Sequence, residues 1–411
     1  MNPSDYWGLA PFLRASIAGQ DLRGLIQALL EQLEVTGQGN ANVLMNLSIA
    51  AQCMNQFALG LAFQQEALQT QRCYTLPALL QPTRLRLLVL VTEGSIQSST
   101  PLDCLLEESD IELIFYFVLS GDPPLKGLAD LPAHDLLFIG ICDSDASRAL
   151  LQSLAVALTH WPRPVLNSPE YLPFTGRDRA SHHMQGIPQL RSPPTLRVAR
   201  SQLALLASEQ SQVADLLPGG SFPIILRPVG SQAGLNLEKV DNSRAVAAYL
   251  SALDVDDFFL APFVDYSDAQ GQFRKIRIAL IAGTPYVCHM AVSSKWMVHY
   301  LNAGMYEEAW KREEERRFME DFAHFSAKHR AAFNAITERM RLDYLVMDCA
   351  ETRAGELLLF EIDNAGVVHA MDVESLFPYK NGHVEKAKNA FCALLYGLQE
   401  KATHEGTGAR T

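Results

Sequence analysis

The sequence contains no C-x-x-C motif and no apolar run of about 18 residues, the length that a membrane-spanning helix needs. Its seven cysteines, an odd number scattered from Cys53 to Cys392, fit free thiols better than a disulfide framework. The first ten residues lack the basic segment and apolar core of a secretory signal. These absences predict a soluble, cytoplasmic protein that does not engage a membrane.

Basic residues are fewer than acidic residues, with 34 Lys and Arg against 46 Asp and Glu, and the net charge is −12. Nucleic acid is therefore not expected as a partner, because phosphate backbones require a basic surface, although a local basic cleft can still hold a nucleotide. Charged residues make up 19% and hydrophobic residues 48%, which is typical of a globular protein. A chain of 411 residues has room for two or three domains.

The region 1–80 is predicted to be helical. Apolar residues recur at a spacing of three to four in 42–71, with a break near Asn55, which indicates an αα-hairpin. Its second half resembles the last helix of a tetratricopeptide repeat, and a helical cap packed on the neighbouring domain is the alternative. The region shows no catalytic residues, and it is a candidate surface for a protein partner.

After Pro82 the pattern changes to that of buried strands. Apolar runs at 85–91, 111–118 and 136–141 are separated by helical segments, which predicts a parallel α/β sheet. We place the end of this second domain near residue 195.

The stretch 342–371 is the most informative part of the chain. Two apolar runs, 344–349 and 357–362, flank a polar segment in which Gly355 can supply a turn, and this pattern predicts a β-hairpin.

Each strand of this predicted hairpin carries carboxylates. Asp348 lies near the end of the first strand, whereas Glu361 and Asp363 are two residues apart on the second and project from the same face. A hairpin centred midway between residues 348 and 361 places Asp348 opposite Glu361. Three like charges this close repel unless a cation neutralises them, and an all-oxygen cluster suits Mg²⁺. Solvated acids on an edge hairpin are the alternative.

An Asp followed by a Glu thirteen residues later, and by another oxygen ligand after two more, resembles the metal site of the ATP-grasp superfamily. Glutathione synthetase, D-alanine ligase and the ribosomal-protein glutamate ligase are familiar members. The last ligand is commonly Asn in that family, whereas this chain has Asp363, with Asn364 beside it. The resemblance implies ATP and Mg²⁺ as cofactors, with Mn²⁺ as an alternative metal, held by Asp348, Glu361 and Asp363.

The resemblance also implies the architecture. An all-helical region (1–80) precedes a small α/β pre-grasp domain (81–195) and an α+β ATP-grasp domain of two lobes (196–400), and a disordered tail (401–411) follows.

The resemblance further assigns residues to the nucleotide phosphates. The phosphate loop would follow Arg227, where the family normally has Lys, and would comprise Gly230, Ser231, Gln232, Ala233 and Gly234. A basic residue on an earlier helix would also touch the phosphates, and Arg179 is the first choice, with Arg177 as its competitor. A plain hairpin turn and a solvated helix start are the alternatives. The adjacent His182 and His183 are interpreted as structural.

The nucleotide base would lie against Pro262, Phe263 and Val264, the end of an apolar strand at 258–264, and Asp265 would bind the ribose. A buried strand end is the alternative interpretation.

Two further segments are candidates for catalysis. Lys275 and Arg277 share one face of a predicted strand at 274–281, and Arg277 matches the family's Arg near the transferring phosphate, with solvated charges as the alternative. The segment 288–305 resembles a substrate-facing loop, in which His299 could act as a base. The other polar candidates in that loop are Ser294, Lys295 and Asn302. The charged segment 307–325 is interpreted as a solvated helix face.

The resemblance implies a carboxylate–amine or carboxylate–thiol ligase that acts through an acyl phosphate on an amino acid, a small peptide or a peptide tail. A catalytically degenerate nucleotide-binding or scaffold protein is the first alternative, and a phosphotransferase that stops at phosphorylation is the second. A homodimer is compatible with either.

Overall fold

The computed structural model describes residues 2, 4–36, 40–121, 131–232 and 234–408, apart from the side chains of residues 36 and 405–408. The helices are α1 (Ala10–Ile17), α2 (Arg23–Thr36), α3 (Ala41–Cys53), α4 (Phe57–Thr70), α5 (Leu102–Leu105), α6 (Arg148–Ala157), α7 (Arg177–His183), α8 (Arg200–Ala207), α9 (Val213–Leu216), α10 (Ser243–Ser251), α11 (Ala309–Glu320), α12 (Phe322–Lys328), α13 (Arg330–Met340) and α14 (Lys380–Gly408). The strands are β1 (Cys73–Leu76), β2 (Leu85–Val91), β3 (Ile111–Phe117), β4 (Leu136–Ile139), β5 (Val165–Leu166), β6 (Leu190–Arg191), β7 (Leu196–Ala199), β8 (Ile224–Pro228), β9 (Glu238–Val240), β10 (Asp257–Pro262), β11 (Phe273–Ile281), β12 (Thr284–Ser293), β13 (Tyr344–Glu351) and β14 (Leu357–Asp363).

The predicted αα-hairpin near the N-terminus is confirmed. Asn40 accepts a hydrogen bond from the N–H of Val43 and so caps α3, and Asn55 adopts a positive φ of 60° at the break before α4. The two helices approach closely at Gly60, where a Cβ would lie 2.5 Å from the Gln52 side chain. Glycine is therefore required at this helix contact.

The first sheet has the order β1-β3-β2-β4-β5, and β2 to β5 are parallel, as the alternation of apolar runs predicts. The prediction that 1–80 is all helical is wrong for β1, which pairs antiparallel with β3 at the sheet edge. Tyr74 of β1 is fully buried and packs edge-on against Phe117. Burial of this aromatic side chain stabilises the short strand at the edge of the sheet.

Two further sheets follow, with the orders β7-β10-β8-β9 and β12-β11-β13-β14-β6. The second sheet is antiparallel, and in the third only β6 runs parallel to its neighbour. The predicted α/β fold class is confirmed, with N-terminal helices, a mostly parallel sheet and then these two sheets. Residues on both of them line the candidate site.

Three local predictions differ from the structure. The predicted substrate loop begins as a strand, because β12 continues through Ser293 with mostly buried side chains. The predicted solvated helix face contains Lys311 and Glu315, which are 7% and 0% exposed. Helix α14 extends to Gly408, into the segment predicted to be disordered, and residues 409–411 lie outside the described part of the chain.

Among the described residues, no helix combines the length and the apolar character needed to cross a membrane.

Candidate functional site

A cavity of about 400 Å³ lies between the second and third sheets. One wall comes from β8 and β10, and the other from β11, β13 and β14. Because each wall is a sheet, the side chains that point into the cavity alternate along their strands with side chains that pack on the core. The residues that line the cavity include Gln97, Arg177, Ile225, Arg227, Gln232, Gly234, Phe259, Pro262, Phe263, Val264, Lys275, Arg277, Trp296, Met297, Val298, His299, Asp348, Leu359, Glu361 and Asp363.

The predicted acidic hairpin forms the floor of this cavity. β13 and β14 pair antiparallel with Asp348 directly opposite Glu361, which is the predicted register. Asp363 lies two residues further along the same face of β14, and all three side chains line the cavity. Gly355 adopts a φ of +80° in the connecting turn, a conformation that favours glycine.

Asp348 is neutralised by basic side chains of the adjacent strand β11. Its carboxylate is 3% exposed and accepts hydrogen bonds from Arg277 Nε at 2.8 Å and Arg277 Nη2 at 3.1 Å. Lys275 Nζ lies 2.7 Å from Asp348 Oδ2. Burial alone would raise the pKa of Asp348, but Arg277 and Lys275 hold it well below its usual range.

Glu361 is paired with Arg177, the first residue of α7. Burial opposes ionisation of Glu361, yet the charge of Arg177 keeps the pKa of this carboxyl below its usual value. Arg179, the first choice on sequence grounds, lies 3.9 Å from Asp143 and does not line the cavity. Residues two apart on a helix point to different sides, so only Arg177 of the two faces the hairpin.

Asp363 differs from the other two carboxylates. Its Oδ1 accepts a hydrogen bond from the N–H of Ala365 at 2.7 Å. Burial, together with the neighbouring Glu361, raises the pKa of Asp363 to about 6. No Lys or Arg of the described residues lies within ion-pair distance of this carboxyl.

The three carboxylates as placed do not form a cluster that fits a resident metal ion. Mg²⁺ takes oxygen ligands in near-octahedral geometry, whereas both oxygens of Asp348 are occupied by basic side chains, and Oε2 of Glu361 is paired with Arg177. No group of three His, Cys, Asp or Glu side chains in the described ranges is positioned to hold a metal. The assignment of these carboxylates as metal ligands stays a prediction.

Arg227 reaches the cavity from the opposite wall. This side chain on β8 is 8% exposed, and it donates hydrogen bonds to Ser231 Oγ at 3.1 Å and to the Ser231 carbonyl oxygen. Burial, and next the charge of Arg177, lower its pKa to about 10, so the guanidinium remains charged at neutral pH. Within the described chain no carboxylate lies within ion-pair distance of Arg227.

The predicted phosphate loop follows this strand. Gly230 and Gly234 adopt φ values of +81° and +75°, and a Cβ on Gly234 would lie 3.3 Å from Met297 Sδ. Gln232 and Gly234 line the cavity, whereas Ser231 turns back to bind Arg227. Ala233 lies outside the described residues.

Apolar residues also line the cavity. Pro262, Phe263 and Val264, the three residues predicted to contact the nucleotide base, lie at and just beyond the end of β10, and Leu359 of β14 lines the opposite wall. Asp265 does not line this cavity. It forms an ion pair with Arg353 at 3.1 Å and also accepts hydrogen bonds from Ser267.

A second cavity adjoins the first, and several of the other predicted residues line it. Ser294, Lys295, Asn302 and Asp265 line it, and Trp296 contributes to both cavities. Lys295 and Asp265 are therefore separated from the basic side chains around the hairpin.

His299 is the one predicted catalytic residue of the 288–305 segment that lines the main cavity. Burial, and next the positive charges of Lys275 and Arg277, lower its pKa, so its imidazole is neutral at physiological pH. Its Nδ1 accepts the N–H of Leu301 at 3.4 Å. A neutral imidazole in this position can accept a proton.

Several lining residues were assigned no specific role from the sequence. The period-two pattern of β11 already places Lys275 beside Arg277, so its proximity to Asp348 could have been inferred from the strand pairing. Gln97, Trp296 and Val298 enter the cavity from connecting segments. Trp296 and Val298 belong to the predicted substrate-facing segment 288–305, whereas no sequence signal marks Gln97.

A second charge cluster lies beside β12. Glu315 accepts hydrogen bonds from Tyr300 Oη at 2.8 Å, Tyr379 Oη at 2.7 Å and the N–H of Met290 at 3.0 Å. Lys380 Nζ lies 3.6 Å from Glu315 and 3.2 Å from Asp372, and it also contacts Tyr300 Oη. Asp372 Oδ1 also accepts a hydrogen bond from Tyr306 Oη. We call this group the Glu315–Lys380 network.

No family model and no curated protein matches the chain. Among solved structures, the chain is similar to D-alanine–D-alanine ligase from Bacillus anthracis complexed with ATP, with 10% identity, a TM-score of 0.47 and coverage of 77% of this chain and 99% of that chain. It is also similar to the VanG D-Ala:D-Ser ligase from Enterococcus faecalis, with 13% identity, a TM-score of 0.45 and coverage of 77% and 99%. A RimK domain ATP-grasp protein from Sphaerobacter thermophilus gives 14% identity, a TM-score of 0.39 and coverage of 74% and 98%. Similarity at this level identifies no family, so the function has to be argued from the cavity.

Proposed function

We propose that the main cavity binds ATP and that the protein is an ATP-dependent carboxylate–amine ligase. The observation that carries the proposal is that one cavity is lined both by apolar side chains and by four basic side chains. A nucleotide calls for both kinds of surface, because its base is flat and largely apolar whereas its phosphates are multiply charged. The volume of about 400 Å³ lies within the range of ordinary ligand pockets.

The base would lie between Phe263 and Val264 on one side and Leu359 on the other. The phosphates would extend towards the four basic side chains of the cavity, which approach from three different elements: Arg177 on α7, Arg227 on β8, and Lys275 and Arg277 on β11. Arginine binds phosphate oxygens through two parallel N–H groups and fixes their orientation as well as their charge.

In the proposed reaction, a substrate carboxylate oxygen attacks the γ-phosphorus of ATP, and the bond to the β-phosphate oxygen breaks to release ADP. The product is an acyl phosphate. An amine then attacks the acyl carbon, the carbon–oxygen bond breaks, inorganic phosphate leaves and an amide remains. Arg277 and Arg227 would stabilise the charge on the phosphoryl group in transfer.

His299 would accept the proton that the amine loses, since its imidazole is neutral and lines the same cavity as Arg277. Lys295 lies in the adjoining cavity, which suits a role in holding an anionic part of a substrate better than a role in proton transfer.

The test is ATP turnover by the purified protein with a panel of carboxylic acids, each alone and in combination with amines and thiols. The proposal expects ADP release that depends on a particular acid, together with phosphate and an amide or thioester product in the mass spectrum. ADP with a stable phosphorylated acid would identify a phosphotransferase instead.

One observation favours a second candidate, a nucleotide-binding protein without turnover. Arg277 is held by Asp348 through two hydrogen bonds, so it is not free to follow a moving phosphoryl group. ATP binding without ADP release for any acid in the panel would support this candidate, whereas acid-dependent release would rule it out.

A further inference from the structure

His299 lies next to a residue of the Glu315–Lys380 network. The His299 side chain lines the main cavity, whereas Tyr300 does not line it and contacts α11 and α14 instead. Tyr300 Oη donates a hydrogen bond to Glu315 Oε2 at 2.8 Å, and its ring centroid lies 6.2 Å from that of Phe377. Two consecutive residues therefore connect the cavity to the network.

The orientation of the His299 ring depends on the turn that follows it. Residues Tyr300–Asn302 form a single turn of 3₁₀ helix. The N–H of Leu301 donates a hydrogen bond to His299 Nδ1 at 3.4 Å, and the N–H of His299 donates one to Asn302 Oδ1 at 3.0 Å. Because the imidazole is bonded to the backbone of this turn, a displacement of the turn would also displace the ring.

Helix α11 anchors the chain beyond the turn as well. Lys311 Nζ donates a hydrogen bond to the carbonyl oxygen of Ala303 at 2.6 Å, and Arg312 Nη1 donates one to that of Met305 at 2.8 Å. Ala303 and Met305 are 2% and 0% exposed. The backbone after the turn is therefore fixed by the same helix that supplies Glu315.

Glu315 is a fixed acceptor for the Tyr300 hydroxyl. Its side chain is 0% exposed, and its Oε1 accepts a hydrogen bond from the N–H of Met290 at 3.0 Å and lies 3.6 Å from Lys380 Nζ. Its Oε2 accepts hydrogen bonds from both Tyr300 and Tyr379. A buried carboxyl with partners on both oxygens cannot turn towards solvent without losing them, so it holds each donor in place.

We propose that Glu315 and Tyr300 are positioning residues, which hold His299 in the main cavity by fixing the turn Tyr300–Asn302. A base must lie within hydrogen-bond reach of the proton that it accepts, so a small displacement of the imidazole lowers the rate. The inference rests on the proposed function only in that His299 is taken to be the base of the reaction.

The pKa of His299 reports the position of its ring. Burial, and next the charges of Lys275 and Arg277, lower this pKa, whereas Asp348 and Glu361 raise it. These four charged residues lie on β11, β13 and β14 and not in the network. Replacement of one uncharged side chain of the network by another therefore acts on the pKa through the position of the ring.

The test compares the parent with Tyr300→Phe, which removes the hydroxyl and keeps the ring. NMR on protein with isotope-labelled histidine measures the pKa of His299, whose signal is assigned by its absence in His299→Gln. A ring released from the turn gains contact with solvent and moves away from Lys275 and Arg277. Its pKa should therefore rise by at least about 0.5 towards the usual histidine value of about 6.5.

Tyr379→Phe is the matched control. Tyr379 Oη donates a hydrogen bond to the same oxygen of Glu315 at 2.7 Å, but Tyr379 lies directly before α14 and does not line the cavity. This variant loses an equivalent hydrogen bond and should lower the melting temperature by a similar amount. The pKa of His299 should stay within about 0.2 of that of the parent.

A second measurement uses the acid-dependent ATP assay. Tyr300→Phe should slow amide formation by about tenfold, because the base is displaced from the amine. The dissociation constant of a non-hydrolysable ATP analogue should change by less than about twofold, since none of the network side chains lines the main cavity. Tyr379→Phe should match the parent in both.

The outcomes separate this inference from the proposed function. An unchanged pKa of His299 in Tyr300→Phe contradicts the inference, and so does an equal change in Tyr379→Phe, which would indicate a general loosening of the core. A parent pKa of about 6.5 or above also contradicts it, because a fixed and buried imidazole beside two cations titrates lower. If no acid supports ADP release, the proposed function fails, while the NMR comparison still determines whether the network holds His299.

Discussion

The cavity and the Glu315–Lys380 network both bury carboxylates beside basic side chains, but they differ in where the cations point. In the network the Lys380 side chain is 2% exposed and lies between Glu315 and Asp372. In the cavity Asp348 is equally buried, whereas Arg277 and Lys275 are about a quarter exposed. We interpret the closed set of partners around Lys380 as a structural ion pair, whereas the cations of the cavity face an open space, as the proposed nucleotide site requires.

The largest effect is expected from a variant that disrupts the Glu315–Lys380 network. Lys380→Met removes the cation between Glu315 and Asp372 and leaves the buried Glu315 and the partly buried Asp372 without it, which should lower the free energy of unfolding by about 3–5 kcal/mol. Urea denaturation followed by circular dichroism measures the change.

The control for this variant is Lys386→Met, an exposed position on the same helix. Its free energy of unfolding should stay within about 0.5 kcal/mol of the parent. A comparable loss in both variants would show that the helix and not the ion pair is responsible.

A smaller effect is expected from a variant in the ion pairs of the main cavity. Arg177 faces the cavity and pairs with Glu361, so Arg177→Met should weaken ATP binding by about tenfold, the equivalent of about 1.4 kcal/mol. Arg179→Met removes the same charge two residues away, next to Asp143, and should change the dissociation constant by less than about twofold. Equilibrium dialysis with labelled nucleotide compares the two, and equal losses would contradict the assignment of Arg177.

The smallest effect concerns His289, which pairs in register with Arg277 and lies against Tyr300 of the network, with ring centroids 4.7 Å apart. Burial, and next the charges of Arg277 and Lys380, hold its pKa well below the usual value of a histidine. The unfolded chain therefore binds a proton that the folded chain does not, so this residue reduces stability as pH falls below about 6.5.

One such proton contributes a slope of at most about 1.4 kcal/mol per pH unit. The His289→Asn variant should accordingly lose less stability than the parent between pH 7 and pH 5, as measured by thermal unfolding at each pH. The exposed His160, changed to Asn, serves as the control and should leave the pH dependence as in the parent. An unchanged slope in His289→Asn would contradict the role of this imidazole.

The local parts of the site could be predicted from the sequence because they depend on neighbours in the chain. Two apolar runs and a glycine turn specify the hairpin, and the midpoint of the turn specifies that Asp348 faces Glu361. Strand periodicity likewise places Lys275 beside Arg277.

The remaining features depend on packing between distant segments. The choice between Arg177 and Arg179 depends on which side of α7 faces the hairpin, and seven helical residues carry no strong apolar pattern that would decide it. Glu315 and Lys380 lie far apart in the sequence, and each is a charged residue that would ordinarily be expected at the surface. Their burial follows from the docking of α11 and α14 on β12, which the sequence does not indicate.

The most direct test of the proposed nucleotide site is calorimetric titration of ATP with Mg²⁺ into the parent and into Arg227→Met. Arg227 is paired with no carboxylate in the described chain, so its removal leaves no buried acid uncompensated and should affect the ligand more than the fold. The account predicts one ATP per chain for the parent and an affinity about tenfold lower for the variant, with similar melting temperatures. Absence of binding to the parent, or equal affinity in both proteins, would contradict it.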